Sequence, residues 1–171
     1  DLAIGLLTSQ TDAEKIKVQH GIARTELAHG HQMVEVPSVG DRPPRQFTRR
    51  DIAEILEPRV EEMFDLVKRE IVRAGYEGML GAGVVITGGT SLLEGMPDAA
   101  ERGLNLPARR GMPTGIGGLR DIVSNPMHAT GVGLLLHARQ HADNLEAAGI
   151  RHGKGLGKVF DRMRSWMFEF F

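Results

Sequence analysis

The chain has 171 residues, a formal net charge of −1 and no cysteine. Disulfide bonds and thiolate metal sites are therefore excluded, and no apolar run approaches the roughly 20 residues of a membrane-spanning helix. The chain opens on Asp1, within what reads like the middle of an element. We therefore expect it to be part of a longer protein.

Charge is distributed unevenly along the chain. Residues 151–171 carry five Lys or Arg and only two Asp or Glu, so this end is basic while the remainder is acidic. A basic tail on an acidic body indicates a local anionic partner rather than general nucleic-acid binding.

A short helix is predicted over residues 12–20. Thr11 and Glu14 are spaced as a capping box, and Glu14 and Lys17 would then share one helix face. A surface ion pair is the simpler interpretation of those two side chains. The alternative is that both point into a cleft, where a carboxylate can accept ribose hydroxyls and an ammonium can approach a base.

Two short strands, residues 32–37 and 45–48, flank a loop rich in glycine and proline and predict an antiparallel ribbon. His20, His29 and His31 fall in or near turns with no carboxylate at ligand spacing, so no metal site is expected there.

A long helix is predicted to begin at Thr48, where Asp51 completes a second capping box. Pro58 should bend or divide this helix, because proline removes a backbone donor. Apolar residues recur every three or four positions and predict one buried stripe. The stripe consists of Ile52, Ile55, Leu56, Val60, Met63, Phe64, Val67 and Ile71.

The other side of this helix is basic. Arg69 and Arg73 lie one turn apart, with Lys68 beside them. A solvated face is the simplest interpretation. The alternative is a docking site for an acidic peptide, since arginine forks favour carboxylates.

A strand, a glycine turn and a helix are predicted next. The β-branched run 83–87 fits a buried strand, and Gly88 and Gly89 let a ligand lie against bare main chain. Thr90 or Ser91 can cap the following helix, whose free N–H groups suit a nucleotide. An ordinary strand-to-helix turn remains the alternative, because neither common phosphate fingerprint follows the strand.

The remainder alternates strand and helix, which is typical of an α/β layer. A helix is expected over 92–103, a strand over 106–109, and a helix over 125–137 after an irregular stretch. Residues 139–157 are polar and contain several glycines, which predicts a flexible linker.

Residues 158–171 are predicted to form an amphipathic helix. Folding back onto the core is one interpretation, but aromatic residues beside cations are typical of a helix lying in a membrane interface. The apolar stripe consists of Val159, Phe160, Met163, Trp166, Met167, Phe170 and Phe171, and Lys158 and Arg162 lie on the other side.

Six segments resemble the FtsA family, the bacterial cell-division branch of the actin/Hsp70 ATPase superfamily. In chain order they are DLAIGLLT, AEKIKVQHG, EPRVEE, VVITGGTSLLEG, NPMHATGVGLL and GKVFDRMRSWMFEFF. The resemblance implies an α/β fragment of an actin/Hsp70-like ATPase domain. Residues 1–9 would end an element of subdomain IIA, 10–75 would form IIB, 76–138 would continue IIA, 139–157 would be a linker and 158–171 a membrane-targeting helix.

The resemblance also implies a nucleotide site. Gly88, Gly89 and Thr90 would pack against the adenosine of ATP, Glu14 would take the ribose and Lys17 would border the adenine. The Mg²⁺ ligands and the first phosphate loop would lie in the part of the family absent from this chain. No catalytic residue is therefore expected here, and at most a weak ATPase in the full-length protein.

The implied partners are proteins and lipid, with no nucleic acid. Arg73, with Arg69 nearby, would receive the C-terminal peptide of FtsZ, and Arg59 would lie at protomer contacts of a filament. The last helix would bind anionic lipids at the cytoplasmic face of the inner membrane, at the division site. The alternative function is an ATPase or sugar kinase of the same superfamily, for which turnover is the main role.

Overall fold

The computed structural model describes residues 1–147, except residues 30, 31, 41, 116 and 118–122 and the side chains of 142–147. The tail 158–171 therefore lies outside the described residues. Residues Asp1–Ala129 form one compact unit, and a second begins at Thr130. The expected boundary between two subdomains at residue 75 stays a prediction.

The chain begins with two helices, α1 (Leu2–Gly5) and α2 (Gln10–His20). Ser9 caps α2, since its side chain accepts a hydrogen bond from the Asp12 N–H at 3.1 Å. The prediction of Thr11 as the cap is therefore wrong. Hydrogen bonds from Ser9 and Lys15 lower the pKa of the Asp12 carboxyl.

The antiparallel ribbon is confirmed. Strand β1 (Met33–Val36) pairs with β2 (Arg45–Thr48), and Val36 lies opposite Arg45. Val34 and Val36 are buried and alternate with exposed residues, as expected for a strand with one covered face.

Helix α3 (Arg49–Arg73) begins where predicted. The Thr48 hydroxyl accepts from the Asp51 N–H at 3.1 Å, and the Asp51 carboxylate accepts from the Thr48 N–H at 2.7 Å. The helix continues through Pro58, so of the two expected effects division is wrong and a bend stays a prediction.

A single helix, α3, contributes to two hydrophobic clusters. Ile52 and Leu56 pack in the first cluster with residues of α1, α2 and β1. Val60 and Phe64 pack in the second with residues of helix α4 (Met96–Leu104). The predicted stripe is therefore buried only along part of its width, and Met63 and Val67 remain 39% and 41% exposed.

Glu57 anchors the segment after α2 to α3. Its carboxylate accepts from the Thr25 N–H at 3.1 Å and from the Thr25 hydroxyl at 2.5 Å. These hydrogen bonds lower the pKa of Glu57, because they favour the ionised form.

A parallel strand pair follows, with β3 (Val84–Ile86) beside β4 (Ala108–Arg110) and α4 connecting them. A 3₁₀ turn, Gly89–Leu92, follows β3 after two intervening residues, and α4 begins four residues later than predicted. The later start has a local cause, because Gly95 takes a left-handed conformation and Pro97 occupies the first turn.

The last described helix is α5 (Ala129–Ala147), which follows a 3₁₀ turn capped by Asn125. The predicted linker is therefore wrong for residues 139–147. Residues 139–147 contain neither glycine nor proline, and Arg, Gln, Leu, Glu and two Ala among them favour helix. Within the described residues, no helix combines the length and apolar character needed to cross a bilayer.

Candidate functional site

A cavity of about 500 Å³ lies between α2 and the segment after β3. Glu14 and Lys17 line it from α2, and Gly89 and Thr90 line it from the 3₁₀ turn. Four of the five residues predicted to bind nucleotide therefore meet at one place. The fifth, Gly88, adjoins this set without lining the cavity.

Glu14 and Lys17 form an ion pair on the cavity wall. The Lys17 ammonium donates to the Glu14 carboxylate at 2.6 Å, and the Glu14 side chain is 61% exposed. The two interpretations of this pair are thus compatible, because an ion pair that faces a cleft keeps acceptor capacity on the carboxylate.

Gly88 gives the turn its shape. Its φ of 89° and ψ of 170° lie in a region that only glycine enters readily. The Gly88 N–H donates to the Pro126 carbonyl at 3.1 Å, and the Ser91 hydroxyl donates to the Gly88 carbonyl at 2.7 Å. Ser91 thus secures the turn instead of capping α4, and the predicted helix cap at Thr90 or Ser91 is wrong.

The rest of the cavity is partly apolar. Val18, Leu92, Leu93 and Met127 line it, and of the residues that the structure describes an added Cβ at Gly89 would meet Met127 alone, at 3.8 Å. A lining that combines apolar side chains with polar groups able to orient a ligand is common in small-molecule sites.

Arg49 and Glu94 also line the cavity, and neither was predicted from the sequence to be a site residue. Arg49 donates from Nη2 to a Glu94 carboxylate oxygen at 2.5 Å and from Nε to the His20 carbonyl at 3.1 Å. Glu94 lies within the segment VVITGGTSLLEG, but no role was predicted for it, and Arg49 belongs to none of the six segments. The two residues lie 45 positions apart.

The three predicted arginines of α3 lie on its exposed surface. Arg73 is 79% exposed and pairs with Glu70, while Arg69 donates weakly to a carbonyl of its own helix. Arg59 pairs with Glu62 and with Asp1. None of the three lines the 500 Å³ cavity. Arg59 does line a neighbouring cavity of about 310 Å³, which shares Lys17 and Thr90 with the first, whereas Arg69 and Arg73 line neither.

The predicted membrane-binding residues lie outside the described residues, so the structure places none of them. In the part of the chain that is described, no group of three or more His, Asp or Glu side chains is arranged to hold a metal ion.

The fold is that of actin-like proteins. MreB5 of Spiroplasma citri, solved bound to ADP, matches with a TM-score of 0.59 at 16% identity, over 81% of this chain and 40% of that one. The family model for cell division protein FtsA matches residues 1–133. This chain belongs to the FtsA family.

Individual relatives agree with this assignment. FtsA of Pseudomonas aeruginosa is 41% identical over 98% of this chain and 41% of its own length. FtsA of Escherichia coli K12 is 38% identical over 98% of this chain and 42% of its own length. FtsA of Rhizobium meliloti is 37% identical over 100% of this chain and 40% of its own length. The chain thus spans about two fifths of the relatives' length.

Proposed function

We propose that the protein containing this chain is a nucleotide-gated adaptor of cell division. It binds ATP, assembles into filaments and tethers FtsZ to the cytoplasmic membrane through residues 158–171. Family membership favours this function over that of a sugar kinase or turnover-driven ATPase. The observation that carries the proposal is the convergence of Glu14, Lys17, Gly89 and Thr90 on one cavity.

The cavity fits the adenosine half of ATP. Its volume of about 500 Å³ lies within the range of small-molecule sites. The Glu14 carboxylate can accept both ribose hydroxyls, and Lys17 can lie against the base. Gly89 leaves the main chain open, and exposed Leu92 and Met127 offer apolar surface.

The phosphates extend toward residues outside this chain in the proposed arrangement. Among the described residues, two cationic side chains line the cavity, Lys17 and Arg49, and each is paired with a carboxylate. In this proposal the remainder of the full-length protein holds Mg²⁺ and the phosphates. Binding of the nucleotide would supply the free energy that controls filament assembly.

Replacing Glu14 with alanine tests the nucleotide site. Two charge-assisted hydrogen bonds to the ribose would be lost, which corresponds to at least about tenfold weaker ATP binding. Isothermal titration of the full-length protein with ATP measures the change.

Glu70→Ala is the matched control, because Glu70 also pairs with a cation three residues away but lies on α3, away from the cavity. Equal ATP affinity of Glu14→Ala and Glu70→Ala would contradict the proposed ribose contact.

The C-terminal part of α3 is the proposed receptor for the FtsZ C-terminal peptide. Arg69 and Arg73 lie one turn apart and share a side of the helix. Arg59 lies ten residues before Arg69, about 15 Å along the helix axis, and we assign it to protomer contacts in the filament.

The peptide site predicts a specific effect of Arg73→Glu. The charge reversal places a carboxylate against an acidic peptide, so affinity should fall by about tenfold or more. Fluorescence anisotropy with a labelled FtsZ C-terminal peptide measures it.

Stability should change little, because the exposed Arg73–Glu70 pair is worth at most about 1 kcal/mol. Arg50→Glu, at the opposite end of α3 and paired there with Glu54, is the control and should bind the peptide like wild type. If Arg73→Glu binds the peptide with unchanged affinity, the peptide binds at another part of the protein.

A further inference from the structure

We infer that Arg49 and Glu94 form a clasp that sets the spacing between the two walls of the nucleotide cavity. Arg49 is thus a positioning residue for the nucleotide, acting through the elements that carry Glu14 and Thr90. The inference rests on the proposed function of the cavity.

Arg49 joins the two walls by its side chain. It is the first residue of α3, and its Nε donates to the carbonyl of His20, the last residue of α2, at 3.1 Å. Its Nη2 reaches the Glu94 carboxylate on the opposite wall at 2.5 Å. The planar guanidinium can make both bonds at once, and its side chain is only 24% exposed.

The main chain makes a connection at the same place. The Ala23 N–H donates to the Glu94 carbonyl at 2.8 Å, and Ile22 forms a parallel bridge with Glu94. Gly21 packs so closely that an added Cβ would lie 2.7 Å from Leu93 Cδ1. The walls therefore meet at this end of the cavity, and Arg49 reinforces the junction.

Arg49 also connects to the ribbon. Its own N–H donates to the carbonyl of Gln32, the residue before β1, at 2.9 Å. Four segments thus converge on one residue: the end of α2, the segment after β3, the start of β1 and the start of α3.

Loss of the two hydrogen bonds of the Arg49 guanidinium would change the shape of the cavity through α2. Lys17 and Glu14 lie three and six residues before His20, about 4.5 and 9 Å along the helix. A small tilt at the His20 end therefore displaces both side chains relative to Thr90. The hydrogen bond from the Ala23 N–H to the Glu94 carbonyl remains possible. We therefore expect the cavity to widen while the protein stays folded.

The experiment compares Arg49→Ala with Arg50→Ala in the full-length protein, using titration with ATP. Arg50 is the next residue and pairs with Glu54 at the surface at 3.1 Å, so it matches in type and position but not in contacts. We expect ATP affinity to fall about tenfold in Arg49→Ala and to stay within about twofold in Arg50→Ala. Arg49→Lys should recover part of the loss, because one ammonium retains the charge without the fork.

A second measurement separates positioning from direct contact with ATP. Hydrogen exchange at the Ala23 amide, without nucleotide, should be about tenfold faster in Arg49→Ala and unchanged in Arg50→Ala. Should Arg49→Ala fail to fold, Glu94→Gln keeps the side-chain size and should show the same two effects more weakly.

The outcomes distinguish the two proposals. If the wild-type protein does not bind ATP, the proposed function fails and exchange at Ala23 alone decides the clasp. If wild type and Arg49→Ala bind ATP equally well, the clasp fails and the nucleotide site stands. Weaker ATP binding with unchanged exchange would assign Arg49 to direct nucleotide contact and overturn the positioning role.

Discussion

Replacing Gly83 with alanine should destabilise the protein by about 2–5 kcal/mol. The Gly83 φ of 79° is left-handed, which costs a residue with a side chain roughly 1–2 kcal/mol. The added Cβ would also lie 2.2 Å from the Pro107 carbonyl oxygen, and such overpacking typically costs about 1–3 kcal/mol. That oxygen accepts from the Val84 N–H at 2.8 Å, so it cannot move without loosening the pairing of β3 with β4.

Denaturant unfolding of the full-length protein measures this effect. Gly81→Ala, two residues earlier, is the matched control, because an added Cβ there lies within 4 Å of no described residue and the Gly81 φ is not left-handed. Similar unfolding midpoints for the two variants would show that Gly83 is not required. ATP affinity should fall in Gly83→Ala as well, because β3 leads directly into the cavity-lining turn.

Deleting residues 158–171 from the full-length protein should abolish its co-sedimentation with anionic liposomes while ATP binding stays intact. The apolar stripe would supply burial in the interface, and the cations about 1 kcal/mol each near an anionic surface. Co-sedimentation at several salt concentrations measures both contributions, because salt weakens only the second.

Point variants test the two predicted faces of this helix separately. Trp166→Glu would place a charge on the predicted apolar stripe and should release the protein from liposomes. Ser165→Glu would add the same charge on the predicted polar side and should weaken binding only modestly. Sedimentation of the deleted protein at the wild-type level would refute the adaptor function.

Sequence reasoning succeeded where local chemistry decides the structure. The capping box of Thr48 and Asp51 located the start of α3, and β2 has the predicted bounds. It failed where two local signals compete. Ser9 took the cap of α2 from Thr11, and the Gly95 turn delayed α4.

The candidate site was predictable only in part, for a related reason. Glu14, Lys17, Gly89 and Thr90 belong to recognisable motifs, and the structure brings them to one cavity. Arg49 reaches that cavity through tertiary contacts alone, which the pattern of neighbouring residues does not encode.

The sharing of α3 between two hydrophobic clusters restricts how its length can evolve. One residue inserted between Leu56 and Val60 would rotate every later side chain by about 100°, since an α-helix has 3.6 residues per turn. Val60 and Phe64 would then point away from α4 while Ile52 and Leu56 kept their places. An insertion of four residues would change the angle between the two halves by only about 40°, and one of seven residues by about 20°, so these lengths would be the best tolerated.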